Sequence, residues 1–207
     1  MAIKINGKTL QSQVHRNTGV DSRGVLHMSA NKELYEIQRS NNFAFVIPTG
    51  GLGAFKKSNS DTTISARTFA EAIRLSVVEA SIPHFEQDAI EVKRGNGTLK
   101  YAGNPRFNSG TLVLNDFIGL QTIETLMAWQ HASYDVDTEK VGIQSDYKID
   151  CQLIEYSPDY QVVRTWTLYG CWISGISEGD LSVDNNDARR VTATIQYDRA
   201  KLDLSDE

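Results

Sequence analysis

His15, His27, His84 and His131 are the histidines of the chain, and none stands in an HExxH, an HxH or a Cys–His arrangement. Imidazoles so far apart share a metal or a proton only if folding gathers them, so surface and capping roles are expected. Cys151 and Cys171 have no second cysteine or histidine at zinc-motif spacing. They sit in apolar, strand-like surroundings and are expected as buried thiols, with a disulfide conceivable only if their strands pair closely. The glycine-rich stretch PTGGLGAFKK offers backbone N–H groups to an anion, yet has neither the GxxxxGK[ST] spacing nor GxGxxG followed by a helix. Asp135 with Asp137, and Asp184 with Asp187, lack the ligand periodicity of a calcium loop. Ser174 lacks the preceding glycine of a nucleophile elbow. Nothing assembles a nucleophile, a base and an orienting third group. No catalytic residue, cofactor or metal is therefore expected, and the chain is expected not to be an enzyme.

With no reaction centre in view, the elements become the subject. The 207 residues are about 40% hydrophobic, enough for one core plus a polar arm but thin for two domains. Lys and Arg total 21 against 26 Asp and Glu, a net charge of −5, with no basic groove for nucleic acid. The opening residues have no apolar run of the signal-peptide kind, and no stretch approaches the ~20 apolar residues that cross a bilayer. A soluble protein that stays where it is made, in a reducing compartment, is expected.

Residues 1–41 are mostly polar and are expected as an N-terminal arm with room for a short hairpin. Residues 42–207 are expected as the core domain. Phe43 to Ile47 reads as a buried strand ended by Pro48 and glycines, and 50–63 as a long exposed loop. Residues 72–80 read as a strand with Ile73, Leu75 and Val77 on one side, stopped by Pro83. Ile90 to Tyr101 reads as a hairpin turning at Asn96-Gly97. A strand at 111–114 leads to a helix over 119–131, capped by Asn115 or Asp116. That helix has Ile123, Met127 and Trp129 on its core side, with Gln121, Glu124 and Thr125 opposite. A long hairpin, 147–156 with 161–173, follows. The last strand alternates Val191, Ala193, Ile195 and Tyr197 with Thr192, Thr194 and Gln196. The aromatic residues of this third, among them Trp166, Tyr169 and Trp172, fit either a core or an interface.

The order of these pieces is more specific than any one of them. Asn42-Phe43-Ala44-Phe45, Ala80-Ser81-Ile82-Pro83, the turn at Gly95 to Gly97, and Phe107 with Thr111-Leu112-Val113-Leu114-Asn115-Asp116 occur in sequence. Met127-Ala128-Trp129, Asp146-Tyr147-Lys148, the strand 163–172 and the strand 191–197 complete the series. Over roughly 42–200 this pattern resembles the tail tube protein of contractile-tailed bacteriophages, related in fold to the tube protein of type VI secretion systems. The resemblance implies a mainly β fold, a small barrel or sandwich with one packed helix. It further implies hexameric rings stacked into a tube through which DNA passes without sequence-specific binding. Implied partners are further copies of the chain, the sheath, baseplate and terminator proteins, and a tape measure protein in the lumen, with no membrane. The implied location is the virion tail, assembled in the host cytoplasm. Residues 1–41 depart from the family, whose members are shorter ahead of the first core strand.

Two sets of residues are candidates for assembly. Thr192, Thr194 and Gln196 form an uncharged strand face suited to a lumen wall. Leu52, Phe55, Lys56 and Lys57 lie in a loop too long for a compact domain to maintain for itself, and are candidates for contact between rings. The alternatives are a secretion-type tube protein passing effectors, a tail completion or baseplate ring protein, and, outside structural proteins, an enzyme or a peptide- or sugar-binding module.

Overall fold

The computed structural model of the chain describes residues 3–5, 8–10, 36–49, 55–56, 63–179, 181–184 and 187–204. Within the arm, β1 (Ile3–Ile5) pairs antiparallel with β2 (Lys8–Leu10). The central sheet begins at β3 (Phe43–Val46), whose Phe45 faces inward beside Leu153. Two residues of the long loop, β4 (Phe55–Lys56), pair with β5 (Thr63–Ile64), which joins the loop's middle to its far end. The rest of that loop, with Leu52 and Lys57, lies outside the described residues.

After β5 the chain is helical where the sequence pattern suggests a strand. Helix α1 spans Ala66–Ser76, and only the short β6 (Val77–Ala80) that follows is extended. Ser65 caps the helix by accepting the Thr68 N–H at 3.2 Å. Phe69, Ala72, Ile73 and Ser76 recur at helical spacing and are buried, whereas Leu75 is 59% exposed. The apparent alternation of Ile73, Leu75 and Val77 was a coincidence of two elements meeting at residue 76.

β7 (Phe85–Arg94) and β8 (Gly97–Phe107) form an antiparallel ribbon. It is longer than the hairpin expected, and its turn is centred on Gly95-Asn96, not Asn96-Gly97, since Arg94 pairs with Gly97. Gly95 supplies the left-handed angle, φ 59°. A bulge near Asp88 brings Gly103 so close that a Cβ there would lie 2.5 Å from the Asp88 carbonyl oxygen.

β9 (Gly110–Asn115) leads through a single 3₁₀ turn into α2 (Thr122–Ser133). Neither Asn115 nor Asp116 caps α2; its N-cap is Gln121 in the left-handed region, with no side-chain cap bond. Thr125, expected on the polar side, is buried because its hydroxyl donates to the Gln121 carbonyl at 2.7 Å, which removes the cost of burying it. A small ribbon, β10 (Tyr134–Asp135) with β11 (Lys140–Val141), and the one-turn α3 (Gln144–Tyr147) follow.

The long hairpin is β12 (Ile149–Tyr156) and β13 (Val162–Ser177), and the chain closes with β14 (Arg190–Gln196) and β15 (Arg199–Leu204). Sheet order is β3-β12-β13-β14-β9-β6, with β15 also on β13. β13 serves two half-sheets. Its first part pairs β12 on one edge and β15 on the other, and its second part pairs β14. Phe45 and Leu168 of one half meet Leu112, Ile195 and Tyr197 of the other around one small interior gap, so the halves face each other. The path stays open and does not close into a barrel. The fold is mainly β with a packed helical region, and α1 is a second packed helix beside the one expected. Phe69, Ile73, Leu126 and Trp129, all fully buried, join the helices to the sheet core.

Candidate assembly surfaces

Inward- and outward-facing residues alternate along the half-sheet β13-β14-β9-β6. Val191, Ala193 and Ile195 are buried, while Thr192, Thr194 and Gln196 are half-buried on the outer face. Register sets Thr194 beside Thr111 and Gly175, and Thr192 beside Val113 and Ser177. The hydroxyl of Ser174 donates to the Thr194 carbonyl at 3.2 Å, and the Gln196 amide donates to that hydroxyl at 3.3 Å. The charges on this face, Arg190 and Glu79, pair with each other at 3.9 Å. The outcome is a face of hydroxyls and amides, with Val113 and Trp172 among them, and no net charge.

The strand edges tell a complementary story. Among the described residues β3 pairs only β12, β6 only β9 and β15 only β13. Each therefore has one edge that no described strand pairs. On β15, Asp203 accepts from Lys201 at 2.6 Å and from Thr167 at 2.8 Å, and these bonds hold its carboxyl below the ordinary value.

The ribbon β7–β8 stands clear of the core. Its base is aromatic: Phe85 meets Phe107 at 5.6 Å and Phe107 meets Tyr197 at 6.1 Å. Beyond the base, residues 84–102 are all exposed. At the opposite end of β14, Arg189 binds Glu178 and reaches Asp116 at 3.5 Å, while the Asp116 N–H donates to the Arg189 carbonyl at 3.0 Å. One guanidinium thus gathers the connections before β14 and after β9.

Among the described residues, those screened for chemistry are not brought together; His15, His27 and most of the glycine-rich stretch lie outside the described residues. His84 lies exposed beside Asn108 at 3.0 Å, and His131 is half-buried at the end of α2. No cluster of three metal-ligating side chains occurs among the described residues. Asp135 accepts backbone N–H bonds from Asp137 and Thr138 as an ordinary turn acid. The polar cleft beside α3 holds Lys148 paired to Asp198 at 2.8 Å, and Asp150 accepts the Gly170 N–H at 2.9 Å. Its charges are already matched, and it poises no nucleophile.

Of the helix residues, Trp129 is fully buried, Ile123 is half-buried against the core, and Met127 is half-buried. Trp166 is half-buried against the core, Trp172 meets Tyr147 edge-on at 6.1 Å, and Tyr160 is 77% exposed, so the aromatics divide between core and surface. Cys151 and Cys171 are free thiols on neighbouring strands, both fully buried. Burial pushes the Cys151 thiol well above its ordinary value, with the neighbouring Cys171 adding to the effect. Both thiols are expected to resist iodoacetamide in mildly alkaline buffer until the chain unfolds. Fast alkylation without denaturant would mean that β12 and β13 open locally.

Open strand edges, an unsupported ribbon and a neutral wall are the surfaces this fold leaves uncovered among its described residues. Residues 40–201 match the family model described as T4-like virus tail tube protein gp19. The chain is 23% identical over 173 residues to the tail tube protein of Serratia phage KSP90, covering 80% of this chain and 97% of that protein. The fold is shared with two solved structures. One is the tube-terminating cap of the anti-feeding prophage, with a TM-score of 0.56 at 15% identity, over 82% of this chain and 92% of that one. The other is a chain of the sheath–tube complex of the extracellular contractile injection system PVC, also with a TM-score of 0.56 at 15% identity, over 88% and 99%. This chain belongs to the tail tube protein family of T4-like viruses and is a structural protein, not an enzyme.

Proposed function

We propose that the chain is the tube subunit of a contractile phage tail, forming hexameric rings that stack into a conduit for DNA. The observation that carries this is the outer face of β14, β9 and the end of β13, where Thr192, Thr194, Gln196, Thr111 and Ser174 make an uncharged polar surface. A lumen dense in Lys and Arg would bind phosphates by releasing their counterions and retard passage. Hydroxyls and amides offer no such hold. The open edges at β3, β6 and β15 supply sites for lateral neighbours, and pairing around a closed ring removes the liability of exposed edges. The loop carrying Leu52, Phe55, Lys56 and Lys57, joined through β4 to β5, contributes to contacts between rings.

The partners on this reading are a contractile sheath around the tube, baseplate and terminator proteins at its ends, and a tape measure protein and DNA inside. Its place is the virion tail. Native mass measurement across concentrations should find the hexamer. A Thr194→Cys variant should react in assembled tubes with a small maleimide and resist a bulky polymer-linked one, because only small molecules diffuse along a lumen. A stable monomer at every concentration, or equal reaction with both reagents in tubes, would defeat the proposal.

A further inference from the structure

At Gly170 the strand β13 changes partners. β12 pairs with it as far as Cys171, β15 as far as Tyr169, and β14 takes over from Trp172. The strand is bulged there: three steps along β13, from Leu168 to Cys171, face two along β12, from Cys151 to Ile149. Gly170 takes φ 67°, and a Cβ on it would stand 2.5 Å from the Asp198 carboxylate.

A bulge takes backbone groups out of the ladder, and each then needs another partner. Side chains and a turn supply them. The Gly170 N–H donates to the Asp150 carboxylate at 2.9 Å, the Asp198 N–H to the Tyr169 carbonyl at 2.9 Å, and the Cys171 thiol to the Leu168 carbonyl at 3.7 Å. Lys148, just before β12, completes the set by binding both Asp198 carboxylate oxygens at 2.8 Å. The polar cleft beside α3 opens directly over Lys148, Asp150, Gly170 and Asp198. On this side the angle between the half-sheets is therefore held by bonds instead of packing.

We infer that Lys148, Gly170 and Asp198 form the joint that sets the angle between the two half-sheets, and through it the number of copies that close a ring. The inference rests on the tube proposal and adds to it what fixes the count. The open edges lie in both halves, β3 and β15 in one and β6 in the other, so the angle between the halves directs one neighbour relative to the other. Closure asks for a turn of about 60° per copy in a ring of six and about 51° in a ring of seven. Twist between neighbouring strands ranges over about 25° across proteins, well beyond the ~9° that separates the two counts. A uniform count thus needs a local fixture.

Rings assembled from the full chain test it. Asp198→Asn keeps the shape of the side chain and removes the ionic tie, and Lys148→Met removes it from the other side. The Asp198 side chain is 56% exposed, so circular dichroism of Asp198→Asn should be unchanged. Native mass measurement and end-on electron micrographs should then show at least two ring sizes where the wild type shows one. Gly170→Ala should do the same, because its Cβ displaces the Asp198 carboxylate. Glu71→Gln, which breaks the exposed Arg67–Glu71 pair on α1, should leave a single size. A single, wild-type size from both Asp198→Asn and Lys148→Met would overturn the inference, as would a mixture of sizes from Glu71→Gln. Folded variants that form no rings would overturn it too, since the junction would then be a contact between copies. So would unfolding of both, which would make the junction part of the core. A wild-type chain that forms no rings defeats the tube proposal itself, and that is seen before any substitution is made.

Discussion

Trp129→Ala is expected to cost about 3–5 kcal/mol, a large share of the ~5–15 kcal/mol that holds a typical domain folded. The indole is fully buried, stands edge-on to Phe69 at 5.6 Å and donates its ring N–H to the Tyr147 carbonyl at 2.8 Å. Alanine removes the ring from the meeting point of α1, α2 and the sheet, and leaves a space the surrounding elements only partly fill. It also strands the Tyr147 carbonyl at the end of α3. Trp129→Phe separates the two losses, since it keeps most of the ring and gives up the hydrogen bond, for about 1–3 kcal/mol. Urea denaturation of all three proteins measures both steps. A midpoint for Trp129→Ala equal to that of the wild type would contradict the burial on which the helical layer depends.

Ile73→Ala and Leu75→Ala should differ sharply, by about 2–5 kcal/mol against no more than about 0.5 kcal/mol. In a strand the two residues would share a face and cost similar amounts. In α1 they lie two positions apart on a helix, with Ile73 fully buried and Leu75 59% exposed. Denaturation midpoints of the two variants decide between the arrangements, and equal losses would favour the strand.

The same stretch explains how far the sequence could be read. Strands with strict alternation and long apolar content were legible: Thr192, Thr194 and Gln196 stand out from a buried Val191, Ala193 and Ile195, and the β12–β13 hairpin lies where its β-branched and aromatic residues put it. α1 was hidden because its capping residue, Ser65, closes a polar loop, and its apolar face is narrow, with alanines where larger residues would have marked the period. Ser76 and Thr122, whose hydroxyls meet at 3.0 Å in the interior, carry no apolar signal at all. The junction of Asp116, Glu178 and Arg189 joins connections far apart in the chain, and no local spacing announces it. The ribbon face was within reach, since Ile90 and Val92 alternate opposite Leu99 and Tyr101, but only the bulge and the turn fix how far it extends.

β13 gives the subunit a mechanical character that its packing alone does not. Its 16 residues run without a break from one half-sheet into the other. On the tube proposal, a load along the stack would pass from one half-sheet to the other through the covalent backbone of this strand. Where it changes sheet the strand is irregular: Gly170 takes the left-handed region, φ 67°, and the register against β14 shifts between Ile173 and Gly175. On that proposal the two half-sheets would move as one strut, because a single strand belongs to both.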